Sequence, residues 1–157
     1  MNREDIYSAL FAKVSSSANF ATIGRLLKHW TDVGPEEMPA LYQVQKREEV
    51  TQLKGQGKRW TFKVDLYVYV HTNSQQLGGE GIAPPLPDAT LTPSMLMNPL
   101  IDAIEAALAI DDFSNNACTL GGLVSRAWID GVIETSEGAL GDHEVAIIPI
   151  SIMVGTT

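Results

Sequence analysis

The sequence has little of several features that mark familiar classes of protein. It contains one cysteine, Cys118, so an internal disulfide is impossible, and we expect a reducing compartment such as the cytosol. Its longest apolar runs, 103–110 and 145–154, are far shorter than the roughly 20 residues of a membrane-spanning helix. The opening residues MNREDIYSALFAKV carry charges where a signal peptide has its apolar run. These absences predict a soluble chain without a disulfide framework.

Positive charge is also scarce. The 157 residues include 11 Lys and Arg against 19 Asp and Glu, which gives a formal net charge of -8. This balance opposes tight binding to the phosphates of nucleic acids. The length suits a single domain over 1–157, burying roughly 70% of the surface that the unfolded chain exposes. An acidic surface can still serve beside DNA, because it prevents adhesion.

The patterns that carry catalysis or cofactor binding are missing as well. His29, His71 and His143 lack the spacing of a metal motif, and no serine lies in a GxSxG elbow. The glycines of 78–81 lack the lysine and following helix of a phosphate-binding loop. Neighbouring side chains in 142–144 point to opposite faces of an extended chain, which favours a solvated turn. We predict no enzyme, no cofactor and no metal, with a pairing of distant residues through folding left open.

The most informative pattern is the alternation within WTFKVDLYVYVH, residues 60–71. Every second residue from Trp60 to Val70 is apolar. The intervening positions hold Thr61, Lys63, Asp65, Tyr67, Tyr69 and His71. Period two predicts a long strand with one buried face and one wet face. A preceding strand over about 39–53, joined by a turn at 54–57, would complete a long ribbon.

Weaker patterns predict the remaining elements. Helical spacing favours a helix over 2–14, and a looser alternation favours a first strand over 22–32. Asn98 and Pro99 are typical of an N-cap and a first helical residue, for a helix reaching about 110, with an upstream extension from 93 left open. Two closing strands are predicted over 123–135 and 145–154. The fold class is therefore α+β: a mostly antiparallel sheet with a long projecting hairpin, packed against about two helices.

One long connection stands apart from these elements. Residues 73–92 contain three glycines and three prolines, and such a loop is long for a compact domain. We predict a mobile loop, or one that a partner orders.

Two sets of residues are candidates for contacts with other subunits. The final strand is apolar on both faces, so the face with Ile147 and Met153 is either covered within the monomer or meets a neighbour. Tyr67 and Tyr69 make the outer face of the earlier strand aromatic. The ribbon carries a basic group that we predict to be a docking arm, with a solvated tip as the alternative: Lys46, Arg47, Lys54, Lys58 and Arg59.

The order of elements resembles the tail terminator proteins of long-tailed bacteriophages, also described as minor tail or tail completion proteins. The resemblance lies in Pro39-Ala40-Leu41 opening a strand, the ribbon leading to Trp60, the later helix, then ACTLGGLVSRAWIDGVIE and EVAIIPISIMV. It covers most of the chain. It implies a homohexameric ring in the virion, at the head–tail junction, assembled in the host cytoplasm. Such a ring caps the tail tube, ends tube polymerisation and presents a surface to the head connector, while genomic DNA passes through without specific binding.

Two other functions compete with this one. A head-to-tail connector or neck protein would dock on the portal side. A small-ligand-binding protein or enzyme would use the face with Tyr67, Tyr69 and His71 as a pocket wall. The oligomeric state discriminates between them, because a ring favours the first two functions and a monomer with a deep pocket favours the third.

Overall fold

The computed structural model describes residues 2–55, 57–72, 92–136 and 140–155. These residues form two helices, α1 (Arg3–Ser15) and α2 (Pro93–Ala107), and one sheet of six strands. The strands are β1 (Thr22–Gly24), β2 (Ala40–Leu53), β3 (Gly57–His71), β4 (Arg126–Ile129), β5 (Glu134–Thr135) and β6 (His143–Gly155). The predicted α+β class is confirmed. The predicted mobile loop at 73–92 lies outside the described residues, except for Thr92.

The sheet is mixed and is built around β3 and β6. Its order is β1-β2-β3-β6-β4, and β5 pairs with β6 as well. β1 runs parallel to β2, and the other pairs are antiparallel. β3 pairs with β6 from Arg59 to His71, and the β2–β3 ladder has one bulge, between Gln45 and Arg47. β3 is therefore paired on both sides along most of its length, and β6 is paired with β3 on one side and in part with β4 and β5 on the other.

Both helices pack on the same face of the sheet. Asn2 caps α1 by accepting a hydrogen bond from the Glu4 amide, and acids in the first turn complement the helix dipole. α1 buries Ile6, Tyr7, Leu10 and Val14, and α2 buries Leu96, Met97, Leu100 and Ile104. These side chains join one core cluster with the apolar residues of β3 and β6. No helix in the described ranges is long and apolar enough to cross a membrane.

The predicted alternation of β3 is confirmed on the core side. Its even-numbered residues from Phe62 to Val70 are fully buried, and Trp60 is half-buried at the rim. β6 contributes its even-numbered residues from Ala146 to Val154 to the same core. The ring of Tyr7 stacks on Phe62 with centroids 5.5 Å apart, which fixes α1 over the centre of the sheet.

The first predicted strand, 22–32, is mostly wrong. β1 ends at Gly24, the chain then turns away from β2, and two short 3-10 turns follow at Trp30–Asp32 and Pro35–Glu37. The apolar residues of this segment do not keep period two, so they cannot share one face of a strand.

The second helix begins earlier than its cap-like residues suggest. α2 begins at Pro93, and Pro99 lies inside it. A proline in a helix interior removes one backbone donor and is unfavourable. The burial of Leu96, Met97 and Leu100 against the sheet offsets the cost of Pro99 inside the helix. Tertiary packing therefore decides where α2 begins.

The predicted strand at 123–135 is two short strands. β4 and β5 both pair with β6, and 130–133 leave the ladder between them. Gly131 has a φ of 124°, which ordinary side chains rarely adopt, and this conformation breaks the strand.

Candidate functional site

The face of the sheet opposite the helices is the candidate site. We call it the open face, because neither helix packs on it; the 28–38 segment covers one end of it, and residues 130–131 lie against Lys63, Pro149 and Ser151. The helices need one face of the sheet for the core, and the strands alternate, so the other side chains must point away. Most of them are half-buried rather than fully exposed. The open face comprises Val44, Lys63, Asp65, Tyr67, Trp128, Ile147, Pro149, Ser151 and Met153.

A hydrogen-bonded triad lies at the centre of the open face. Lys63 Nζ is 2.7 Å from Asp130 Oδ2 and donates to Ser151 Oγ at 2.7 Å. Ser151 Oγ donates to Asp130 Oδ2 at 2.6 Å. Hydrogen bonds from Lys63 and then Ser151 hold the pKa of Asp130 below its usual range. The triad ties the segment after β4 to the two central strands.

The triad contains the residue types of a serine nucleophile, Ser151, with a lysine base, Lys63, but its geometry does not suit that chemistry. Ser151 is fully buried, so a substrate cannot reach its Oγ. Lys63 Nζ is already engaged by Asp130 Oδ2 and Ser151 Oγ within the triad. The arrangement is suited to holding strands together rather than to covalent catalysis.

A second ion pair lies beside the bulge of β2. Lys46 Nζ is 3.2 Å from Asp65 Oδ2, and this hydrogen bond raises the pKa of Lys46. The two pairs border a groove of about 680 Å³, floored by Val44 and Pro149. The volume lies in the range of small-molecule pockets, roughly 300 to 1,000 Å³. These charged groups of the groove, however, already form ion pairs with one another, Lys46 with Asp65 and Lys63 with Asp130.

Tyr69 and His71 are not on a wet face, which corrects the prediction for that end of β3. Tyr69 packs with Tyr42 and Met38 in a second small cluster, beneath the 28–38 segment. Its hydroxyl donates to Lys28 O at 2.8 Å, and burial raises the pKa of Tyr69 to about 12. The 28–38 segment has no regular period, so no pattern in the sequence indicates that it covers these aromatics. Tyr69 therefore cannot contact a neighbouring subunit in this fold.

The structure brings together two histidines that the sequence left apart. His71 pairs with His143 across β3 and β6, and their ring centroids are 4.2 Å apart. Burial lowers the pKa of His143, and the charge of His71 lowers it further. The prediction of a solvated turn at 142–144 holds for Asp142, which is exposed in a turn, and is wrong for the next two residues, because β6 begins at His143 and Glu144 is buried. Only the register of the two strands reveals the pair.

The basic ribbon residues form two groups rather than one docking arm. Lys46 and Arg47 lie at the bulge, well inside the ladder, and Arg47 pairs with Glu49 at 2.8 Å. Lys54, Lys58 and Arg59 are exposed at the end of the ribbon. β6 pairs with β3 as far as Arg59. Only the β2–β3 residue pairs beyond Arg59 therefore extend past the described end of β6. The projecting arm is therefore shorter than predicted.

The remaining interface candidates lie where the sequence placed them. Ile147, Met153 and Tyr67 are half-buried on the open face, and Tyr67 pairs directly with Ile147.

No cluster of three or more His, Cys, Asp or Glu able to hold a metal occurs in the described ranges. Cys118 is buried, and burial raises the pKa of its thiol. Comparison with models of protein families and with curated proteins gives no match.

Proposed function

We propose that this protein is a structural subunit of a bacteriophage tail that forms a homohexameric ring on the end of the tail tube. The ring ends tube polymerisation and joins the tail to the head connector. The proposal rests on the resemblance of the sequence and on one structural observation. The helices cover a single face of the sheet, and the opposite face holds half-buried apolar side chains that a neighbour would cover.

The composition of the open face supports assembly. Tyr67, Ile147 and Met153 offer aromatic and aliphatic area next to fixed ion pairs. Interfaces combine such an apolar centre with a polar rim. A ring further requires two different complementary surfaces on each subunit, because heterologous contacts close into rings. The sheet has two distinct edges, β1–β2 and β4–β5, as well as this face.

The contact with DNA in this proposal is passive. The chain has a formal net charge of -8, and its ring would line a passage that repels phosphates. Exposed acidic residues such as Glu134 and Asp142 are candidates for that lining.

Electron microscopy of the purified protein, alone and mixed with tail tube protein, tests the proposal. We expect sixfold rings, either free or on tube ends, and tubes that stop growing when the protein is added. A monomer under both conditions would contradict it. A ring that binds the portal-side connector but never the tube would instead favour a neck protein.

A small-ligand-binding protein is the second candidate function, and the groove between Lys63 and Lys46 favours it. Its cations are already paired with Asp130 and Asp65, so a charged ligand would have to displace an internal ion pair. A monomer that binds a small anion with loss of the Lys63–Asp130 contact would support this alternative.

A further inference from the structure

One edge of the sheet contains a notch. β1 covers β2 only from Ala40 to Tyr42, and the chain then turns away, so the edge of β2 lies open from Gln43 onward among the described residues. The gap has a volume of about 630 Å³. We call it the edge notch, and its lining includes Arg25, Leu26, Leu27, Gln43, Val44 and Gln45.

The edge notch has one apolar feature that suits an occupant, and a buried polar group lies behind it. Leu26 is 83% exposed beside the open edge of β2. Gln43 is 1% exposed, its Nε2 donates to Tyr7 O, and its Oε1 accepts no hydrogen bond within the described part of the chain. A buried acceptor without a donor is unfavourable. A chain segment in the notch would cover the leucine, whereas Gln43 Oε1 is buried too deeply for such a segment to reach.

The opposite edge of the sheet carries a protrusion. Residues 130–133, which we call the edge protrusion, leave the ladder between β4 and β5, and Val132 is 77% exposed there. Its ends are tied to Pro149 and Ile147 of β6, so the protrusion lies level with Ile148. The Lys63–Asp130–Ser151 triad fixes its first residue in place.

The notch and the protrusion lie at the same level of the sheet. Gln43 pairs with Leu66, and Leu66 pairs with Ile148, so these three residues form one row across the strands. Copies that stand side by side in the same orientation would therefore bring the protrusion of one copy to the notch of the next. At this level β5 faces the stretch of β2 that β1 already covers, so the contact is made by the protrusion and not by pairing of β5 with β2.

We propose that the edge protrusion of one copy of this chain seats in the edge notch of the next, with Val132 against Leu26. This inference rests on the proposed ring and specifies its lateral contact. The edge contact alone is smaller than the roughly 1,200 to 2,000 Å² of a stable interface, so it sets the register while the open face supplies area.

Three aspartate substitutions test the contact. Val132→Asp and Leu26→Asp each place a charge at the proposed contact, and each should weaken ring association about tenfold or more in sedimentation measurements. Phe113→Asp is the matched control, since Phe113 is an apolar residue 88% exposed elsewhere on the surface. It should leave association within about twofold of the wild type. All three positions are exposed, so the monomers should fold.

A cysteine pair gives an independent readout. Val132 and Leu26 lie on opposite edges of one sheet, so a disulfide between Val132→Cys and Leu26→Cys can form only between copies. Air oxidation should produce a ladder of linked chains on a denaturing gel, ending at the closed ring. The pair Val132→Cys and Phe113→Cys should give no such ladder.

The outcomes separate this inference from the proposed function. Rings that form normally with Val132→Asp and Leu26→Asp, and no ladder with the cysteine pair, would overturn the edge contact and leave the ring standing. A protein that stays monomeric at every concentration and forms no ring on tube ends would overturn both the edge contact and the proposed function.

Discussion

Replacement of Ile147 by aspartate should abolish the ring and leave the monomer folded. Ile147 is half-buried on the open face, where its cross-strand neighbours are Tyr67 and Glu134. Loss of the Tyr67 pair and the new like charge beside Glu134 should each cost the monomer about 0.2 to 1 kcal/mol. A domain of this kind has a free energy of unfolding of roughly 5 to 15 kcal/mol, so it survives that change.

The effect on assembly should be much larger. In the ring, the aspartate would lie buried at an interface without a partner, and an unpaired buried charge costs several kcal/mol. A penalty of about 3 kcal/mol at each interface corresponds to roughly 100-fold weaker association. Closing the ring repeats the penalty at every contact, so rings should disappear altogether.

Urea unfolding and sedimentation measure the two effects separately. Ile148→Asp is the matched control, because Ile148 is the next residue on β6, points into the core and is fully buried. That variant should fail to fold. If Ile147→Asp also unfolds the monomer, its face is internal and our assignment of the open face is wrong. If the variant folds and still forms rings, the open face is not between subunits.

Three further predictions concern charge. Reversing Lys54, Lys58 and Arg59 to Glu should leave the urea midpoint unchanged and reduce tail completion, most strongly at low salt, and unchanged completion would contradict a docking role. Titration of the protein with duplex DNA at low salt should detect no salt-sensitive complex of micromolar affinity, and such a complex would contradict passive passage. Hydrogen bonds from Thr119 lower the pKa of Asp111 to about 2 from its ordinary 3.8. This stabilisation is present above pH 3.8 and is lost as the pH falls toward about 2, so Asp111→Asn should flatten the acid dependence of unfolding in that window.

The sequence predicts the fold best where one physical requirement acts on consecutive residues. The alternation of β3 and the helical spacing of α1 each reflect burial on a single face, and both elements appear within a few residues of their predicted bounds. The 22–32 segment has no such period. Its structure depends on contacts with β2 and β3, which are distant in sequence, and these contacts also explain why Tyr69 is buried.

The site was less predictable than the fold, because it depends on the register between strands. Lys63, Asp130 and Ser151 are far apart in the chain, and only the pairing of β3 with β6 brings them together. One signal was available, namely the serine at position 151 within the apolar run 145–154. The edge notch gave no sequence signal at all, since it exists only where β1 stops short along β2.

The double pairing of β3 has a mechanical consequence. β3 is bonded to β2 on one side and to β6 on the other along nearly its whole length. A pull along the strand axis loads all of these hydrogen bonds at once, whereas a pull across the sheet opens them one after another. The subunit is therefore stiffest along the direction of β3. Tension that enters at the end of the ribbon is carried through the centre of the molecule without first peeling away an edge strand.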